Sequence, residues 1–174
     1  MGHRDVQLEP GEHMRRKRES YWTDLTAGET GRYKTQQVVS LLAGRSLPTA
    51  SSVVDIGAGT SDLSSLVADI GGVEHIVCVD YDPAVVAERE AREANPRVTW
   101  RVADARDIAR LGATPGAVTF FDVLHEVYSF VGRDESTGRV DHEIGIAAVR
   151  EALDSAIAAL APGGIIVITD DVLP

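Results

Sequence analysis

The sequence holds a single cysteine in 174 residues, so no disulfide can form within the chain. Cys78 lies inside the apolar run His75-Ile-Val-Cys-Val-Asp80, where a small buried core residue is expected rather than a reactive thiol. Long apolar runs are lacking too: no stretch approaches the roughly 20 residues that a membrane-spanning helix needs. The opening segment, Met1 to Glu19, is charged throughout and has no apolar core of the signal-peptide kind. A cytoplasmic location and no membrane partner are therefore expected. Positive charge is in short supply, with a formal net charge of −10. An acidic surface repels phosphate backbones, which disfavours nucleic acid as a partner. The basic exception, Arg15-Arg-Lys-Arg18, is short and is followed at once by Glu19, so it reads as a solvated helix face. There is no internal repeat and no low-complexity tract.

What is present suits one globular domain: 44% hydrophobic and 25% charged residues are enough to bury a core. Residues 1–20 are polar, and Tyr21, Trp22 and Leu25 then offer something to bury. Val38, Val39, Leu41 and Leu42 give Thr35 to Ala43 an apolar helical face, closed by Gly44 and Pro48. From there, short β-branched runs alternate with helical periods. Val53 to Ile56 reads as a strand followed by glycines. Leu63, Leu66, Val67 and Ile70 recur at i, i+3, i+4 and i+7, and Gly71-Gly72 ends that helix. Ile76 to Val79 is a second strand, after which Asp82-Pro83 supplies an N-cap and a first-turn proline. Glu88 with Arg92 and Arg89 with Glu93 support this helix at i,i+4 spacing. Val98 to Val102, Ala117 to Phe121 and Ile165 to Thr169 complete five strands. A long helix capped by Asp141 and lined by Ile144, Ile146, Val149, Leu153, Ile157 and Leu160 precedes the last strand. Such alternation predicts an α/β fold of parallel βαβ units covered on both faces.

Val54-Asp-Ile-Gly-Ala-Gly-Thr-Ser-Asp62 lies between a strand and a helix, where bare backbone and helical N–H groups can meet a ligand. A dinucleotide loop of the Gly-x-Gly-x-x-Gly type would have a third glycine where this chain has Asp62, which would repel a pyrophosphate. This argues against NAD and FAD. Asp80, closing the second strand, can accept bonds from both hydroxyls of an unphosphorylated ribose and would repel a 2′-phosphate. The alternatives are a plain tight turn and a helix-capping acid.

Together these segments resemble class I S-adenosylmethionine-dependent methyltransferases. Val53-Val-Asp-Ile-Gly-Ala-Gly-Thr-Ser61 is similar to the family's first motif, Val77-Cys-Val-Asp-Tyr-Asp-Pro83 to its second and Val102-Ala-Asp-Ala-Arg106 to its third. Leu160-Ala-Pro-Gly-Gly-Ile165 is similar to the turn before its fifth strand. The resemblance covers roughly Ser51 to Asp171. It implies a three-layer, doubly wound sheet of order 3-2-1-4-5, with residues 51–174 as the cofactor domain and residues 1–50 as a helical cap. It also implies S-adenosylmethionine as cofactor, with S-adenosylhomocysteine as product. Asp55, Gly57, Ala58 and Gly59 would frame the methionine moiety, and Asp80 would hold the ribose. Tyr81 would flank the adenine, with Asp104 and Ala105 near its exocyclic amine. Thr119 to Glu126 occupies the fourth-motif position, where Asp122 counts with the cofactor residues. It does not resemble the Asn/Asp-Pro-Pro-Tyr motif of enzymes that methylate nucleic-acid amino groups.

The implied reaction is methyl transfer to an oxygen or nitrogen of a small-molecule acceptor. His125 is the candidate general base, Glu126 could orient it, and Tyr128 could contact the acceptor. A structural role for His125 at a strand end and a solvated Glu126 stand as the alternative. His125-Glu126, His142-Glu143 and Asp170-Asp171 lack tight ligand spacing, so no metal is expected. Tyr21, Trp22 and Tyr33 are expected to pack, or else to line the acceptor site. The antiparallel hairpin that usually follows the family's fifth strand is missing after Asp170. Either the sequence is a piece of a longer protein that supplies the cover, or the exposed edge is expected to pair with a second copy or a partner chain. A non-catalytic, cofactor-binding subunit is the alternative function.

Overall fold

In a computed structural model of the chain, residues 29–45, 47–48, 51–59, 63–134 and 136–170 are described. The expectations for Arg15–Arg18, Tyr21, Trp22, Leu25, Asp62 and Asp171 lie outside them. The elements run α1 (Glu29–Ala43), β1 (Ser51–Ile56), α2 (Leu63–Ala68), β2 (Val73–Asp80), α3 (Pro83–Arg92) and β3 (Val98–Val102). A 3-10 turn (Ala105–Leu111), β4 (Ala117–Phe121), α4 (Leu124–Val131), α5 (His142–Ala159) and β5 (Ile165–Thr169) follow.

The sheet is parallel, in the order β3-β2-β1-β4-β5. β1 is central, with β2 on one side and β4 on the other, and Val53, Val54, Asp55 and Ile56 are all buried. Alternate strand residues feed two cores. Val53, Ile76, Cys78 and Trp100 pack with Val38 and Leu42 of α1, Leu63 and Val67 of α2, and Val86 of α3. Val54, Ile56, Val79 and Phe120 pack on the other face with Ile108 and with Ala152, Ala156 and Ala159 of α5. Burial also pushes the Cys78 thiol up, which keeps it inert.

Several elements differ from the sequence expectation for identifiable reasons. β1 and β2 begin earlier than their apolar runs because Ser51 pairs with Val73 and Ser52 with His75, so ladder bonds recruit polar residues. α1 begins at Glu29 rather than Thr35. Glu88 and Arg92 form the expected pair at 3.0 Å, while the Arg89 guanidinium stands 5.2 Å over the Trp100 ring. α4 carries no sequence start signal: Val123, at its N-cap, makes no side-chain capping bond. α5 corrects the expected apolar stripe. Leu153 and Leu160 pack against the core as expected, but Ile144 and Ile157 are 51% and 60% exposed, and the most deeply buried line is Gly145, Ala148, Ala152, Ser155, Ala156 and Ala159. Small residues let this helix lie close to the sheet and to α4.

The closest such approach is at Gly145, where an added Cβ would stand 2.6 Å from Cδ2 of Tyr128 and 2.8 Å from the Tyr128 carbonyl oxygen. Backbone on one side leaves no room to yield. Gly145→Ala is expected to lower stability by roughly 1–3 kcal/mol through overpacking. The check is a lowered midpoint of denaturant unfolding at constant m value; an unmoved midpoint would show that α4 and α5 can part cheaply.

Candidate functional site

Ligands of open parallel sheets gather at the carboxyl ends of the strands, where the strand order reverses. Here that point lies between β1 and β4, and a cleft opens beside it. Its base is Ile56 and Gly57, its polar side holds Asp80 and Asp104, and its apolar wall is Val123, Val127, Phe130 and Val131.

The loop after β1 is built without side chains for a reason. Gly57 has φ +66°, and a Cβ there would stand 2.3 Å from Cγ2 of Val123. Ala58 donates its N–H to the Val79 carbonyl at 3.0 Å. Gly59, with φ +49°, donates its N–H to Oδ2 of Asp80 at 3.0 Å, and the N–H of Asp82 donates to Oδ1 at 2.9 Å. One carboxylate thus ties the glycine loop to the end of β2. Burial raises the affinity of Asp80 for a proton, and the two N–H bonds oppose that shift.

Asp55 lies behind this loop. Thr119 Oγ1 donates to its Oδ1 at 2.6 Å, while its buried Oδ2 has no hydrogen-bond partner among the described residues. Burial pushes its pKa up to about 7, against the Thr119 bond and with help from the charge of Asp80.

Tyr81 and Ala105 also line the cleft, and the Tyr81 ring lies 6.4 Å from that of Phe130. Asp104 caps the 3-10 turn. Its carboxylate takes bonds from Arg106 Nε at 2.9 Å and Nη2 at 2.8 Å, which holds it below the usual carboxylate range. A ligand amine would have to share that carboxylate with Arg106.

Asp122 has φ 51°, a left-handed conformation rare outside glycine that costs about 1 kcal/mol. Its N–H donates to the Thr169 carbonyl at 2.8 Å. This bend turns the chain from β4 into α4, which presents two sets of side chains. Glu126, Val127, Phe130 and Val131 line the cleft. His125 instead meets Asp170 at the end of β5: its N–H donates to Oδ2 at 3.1 Å, and its Nδ1 lies 2.5 Å from Oδ1. Tyr128 Oη is 3.0 Å from Nδ1 of His142.

Two sequence expectations are thereby corrected. The carboxylate against the His125 ring is that of Asp170, not of the adjacent Glu126, because neighbouring residues on a helix point in different directions. His125 also lies in the first turn of a helix rather than at a strand end. Of the residues weighed for a metal, His142 is engaged by Tyr128, and no group of three His, Cys, Asp or Glu side chains gathers among the described residues. Tyr33 is 62% exposed on α1 and is not among the cleft residues. Sequence reasoning missed Val127, Phe130 and Val131, which become legible as one helical face only once α4 is known to be a helix.

With this geometry in view, residues 53–133 match the family model described as "Methyltransferase domain". No curated protein matches the chain. Among solved structures, the chain is similar to CalS10 with bound SAM, an amino pentose methyltransferase from Micromonospora echinaspora involved in calicheamicin biosynthesis. Identity is 26% and TM-score 0.57, covering 99% of this chain and 61% of that one. It is also similar to the N-methyltransferase NodS from Bradyrhizobium japonicum, solved with S-adenosyl-L-homocysteine. There identity is 19% and TM-score 0.60, covering 90% and 70%. The sugar N-methyltransferase KedS8 from a Streptoalloteichus species matches at 21% identity and TM-score 0.58, covering 98% and 57%. The last two likenesses speak for the fold alone. The chain spans about three fifths of the length of CalS10.

Asp55 gives the site a pH signature. Unfolded, its carboxyl titrates near 3.8, and folded near 7, so between these values the native state holds the extra proton. The stability contributed by this group therefore falls as pH rises from 3.8 to about 7 and is level above. Measured against Asp55→Asn, which keeps an acceptor for Thr119, the wild type is expected to lose stability steadily across that window. A constant gap between the two proteins would overturn the assignment.

Proposed function

We propose that the chain, whose residues 53–133 match a methyltransferase domain, is a class I, Rossmann-like methyltransferase that binds S-adenosylmethionine and methylates a small-molecule acceptor. The fit rests on what the site offers: a glycine cradle that a Cβ would fill at Gly57, a carboxylate at the end of β2, and an apolar slot beside it. When bound, S-adenosylmethionine supplies a methyl group on a cationic sulfonium.

The chain's own residues then divide the work. Gly57, Ala58 and Gly59 pass close to the methionine end, with Asp55 behind them. Asp80 is already fixed by two backbone N–H groups, so accepting the ribose hydroxyls costs it little reordering. Tyr81, Asp104 and Ala105 border the adenine, and the bend at Asp122 sets α4 across the cleft. Methyl transfer is an in-line displacement, in which the protein chiefly aligns the acceptor and removes its proton. His125 serves as that base on an oxygen or nitrogen acceptor, and Tyr128 contacts the acceptor. The amino pentose activity of CalS10 supports a small acceptor.

The observation that carries the reading is the doubly anchored Asp80 carboxylate beside the slot. Calorimetric titration with S-adenosylhomocysteine, NAD and ATP is expected to show binding of the first alone. Asp80→Ala should weaken it by about 10- to 100-fold, as for loss of hydrogen bonds to a charged group. Unchanged affinity would remove the ribose assignment.

A second reading, a cofactor-binding subunit completed by another chain, draws on β5. Among the described residues no strand pairs with its outer edge. Such an edge favours pairing. Light scattering is expected to show association that grows with concentration; a monomer at every concentration would sink this reading.

A further inference from the structure

We propose that Asp170 is the positioning residue for His125. It holds the imidazole so that a neutral ring carries its proton on Nδ1, against the Asp170 carboxylate. What the ring does rests on the functional reading above; which nitrogen carries the proton does not.

One carboxylate makes two contacts with the same residue. Asp170 Oδ2 accepts the backbone N–H of His125, and Oδ1 faces Nδ1 of the same residue. α4 has no capping side chain of its own at Val123, so Oδ2 serves an orphan N–H at the positive end of the helix. A helix cap needs nothing more. The second contact is the informative one: a carboxylate can only accept, so a neutral ring beside it must carry its proton on Nδ1. The geometry is imposed by the sheet. β4 and β5 pair through Phe121 and Thr169, and Asp122 extends the ladder by bonding the Thr169 carbonyl. Asp170 is therefore delivered to the first turn of α4. Asp170 is largely buried and His125 only about a third exposed, which keeps the contact in place.

Long-range 1H–15N correlation spectra of the full chain, with S-adenosylhomocysteine and at a pH where the ring is neutral, read the tautomer directly. His125→Gln identifies the signal. The wild type is expected to show the Nδ1–H form. Asp170→Asn keeps an acceptor for the helix N–H but offers an amide donor to Nδ1, so it should move His125 to the Nε2–H form with unchanged S-adenosylhomocysteine affinity. An Nε2–H wild type, or a tautomer indifferent to Asp170→Asn, would overturn the proposal. Should the variant fail to fold, the wild-type spectrum decides alone. Failure of the wild type to bind S-adenosylhomocysteine would strike the functional reading and leave the tautomer result standing.

Discussion

The close approach of Gly57 to Val123 is the constraint on which the rest depends. The loop after β1 and the bend after β4 meet where an added Cβ would lie 2.3 Å from Val123. A positive φ at Gly57 and another at Asp122 let both chains turn sharply at the same place. Because they do, α4 lies across the carboxyl ends of the strands instead of continuing away from them. The apolar wall of the cleft is thus a consequence of one missing side chain. Strain at Asp122 is held by the bond from its N–H to Thr169, so the β4–β5 ladder stabilises the bend that closes the cleft.

The charges of the site obey a second constraint. Asp55 and Asp80 are both buried at the ends of adjacent strands, and the charge of Asp80 adds to the cost of ionising Asp55. The two carboxylates are handled differently. Asp80 receives two backbone N–H bonds, which favour its charged form. Asp55 has one bond from Thr119 and an unpartnered oxygen, so burial dominates. A cationic ligand at the loop would relieve both, which gives the negative potential a chemical direction: it suits a sulfonium or an ammonium and opposes a pyrophosphate.

Beside the cleft, α4 separates two sets of contacts by helical geometry alone. Its face bearing Glu126, Val127, Phe130 and Val131 closes the cleft, while His125 and Tyr128 turn toward β5 and the start of α5. The small-residue stripe of α5 makes this possible, since Gly145 leaves room for the Tyr128 ring. Tyr128 can then reach His142, and His125 can reach Asp170, without either contact disturbing the cleft.

The sequence by itself determined the α/β class, the five strands, the caps at Asp82 and Asp141, and the glycine loop with Asp80. These are local: period, capping chemistry and turn residues act within a few positions of one another. Only the tertiary structure decided what depends on distant partners. α4 was not legible because its cap comes from Asp170, far along the chain. The partner of His125 was misassigned to Glu126 because adjacency in sequence is not adjacency on a helix. The buried face of α5 was misread because its isoleucines signalled burial more strongly than alanines do, while the space available favoured the smaller side chains. In each case the deciding contact spans the β4–β5 ladder or the α4–α5 packing, and no local pattern encodes it.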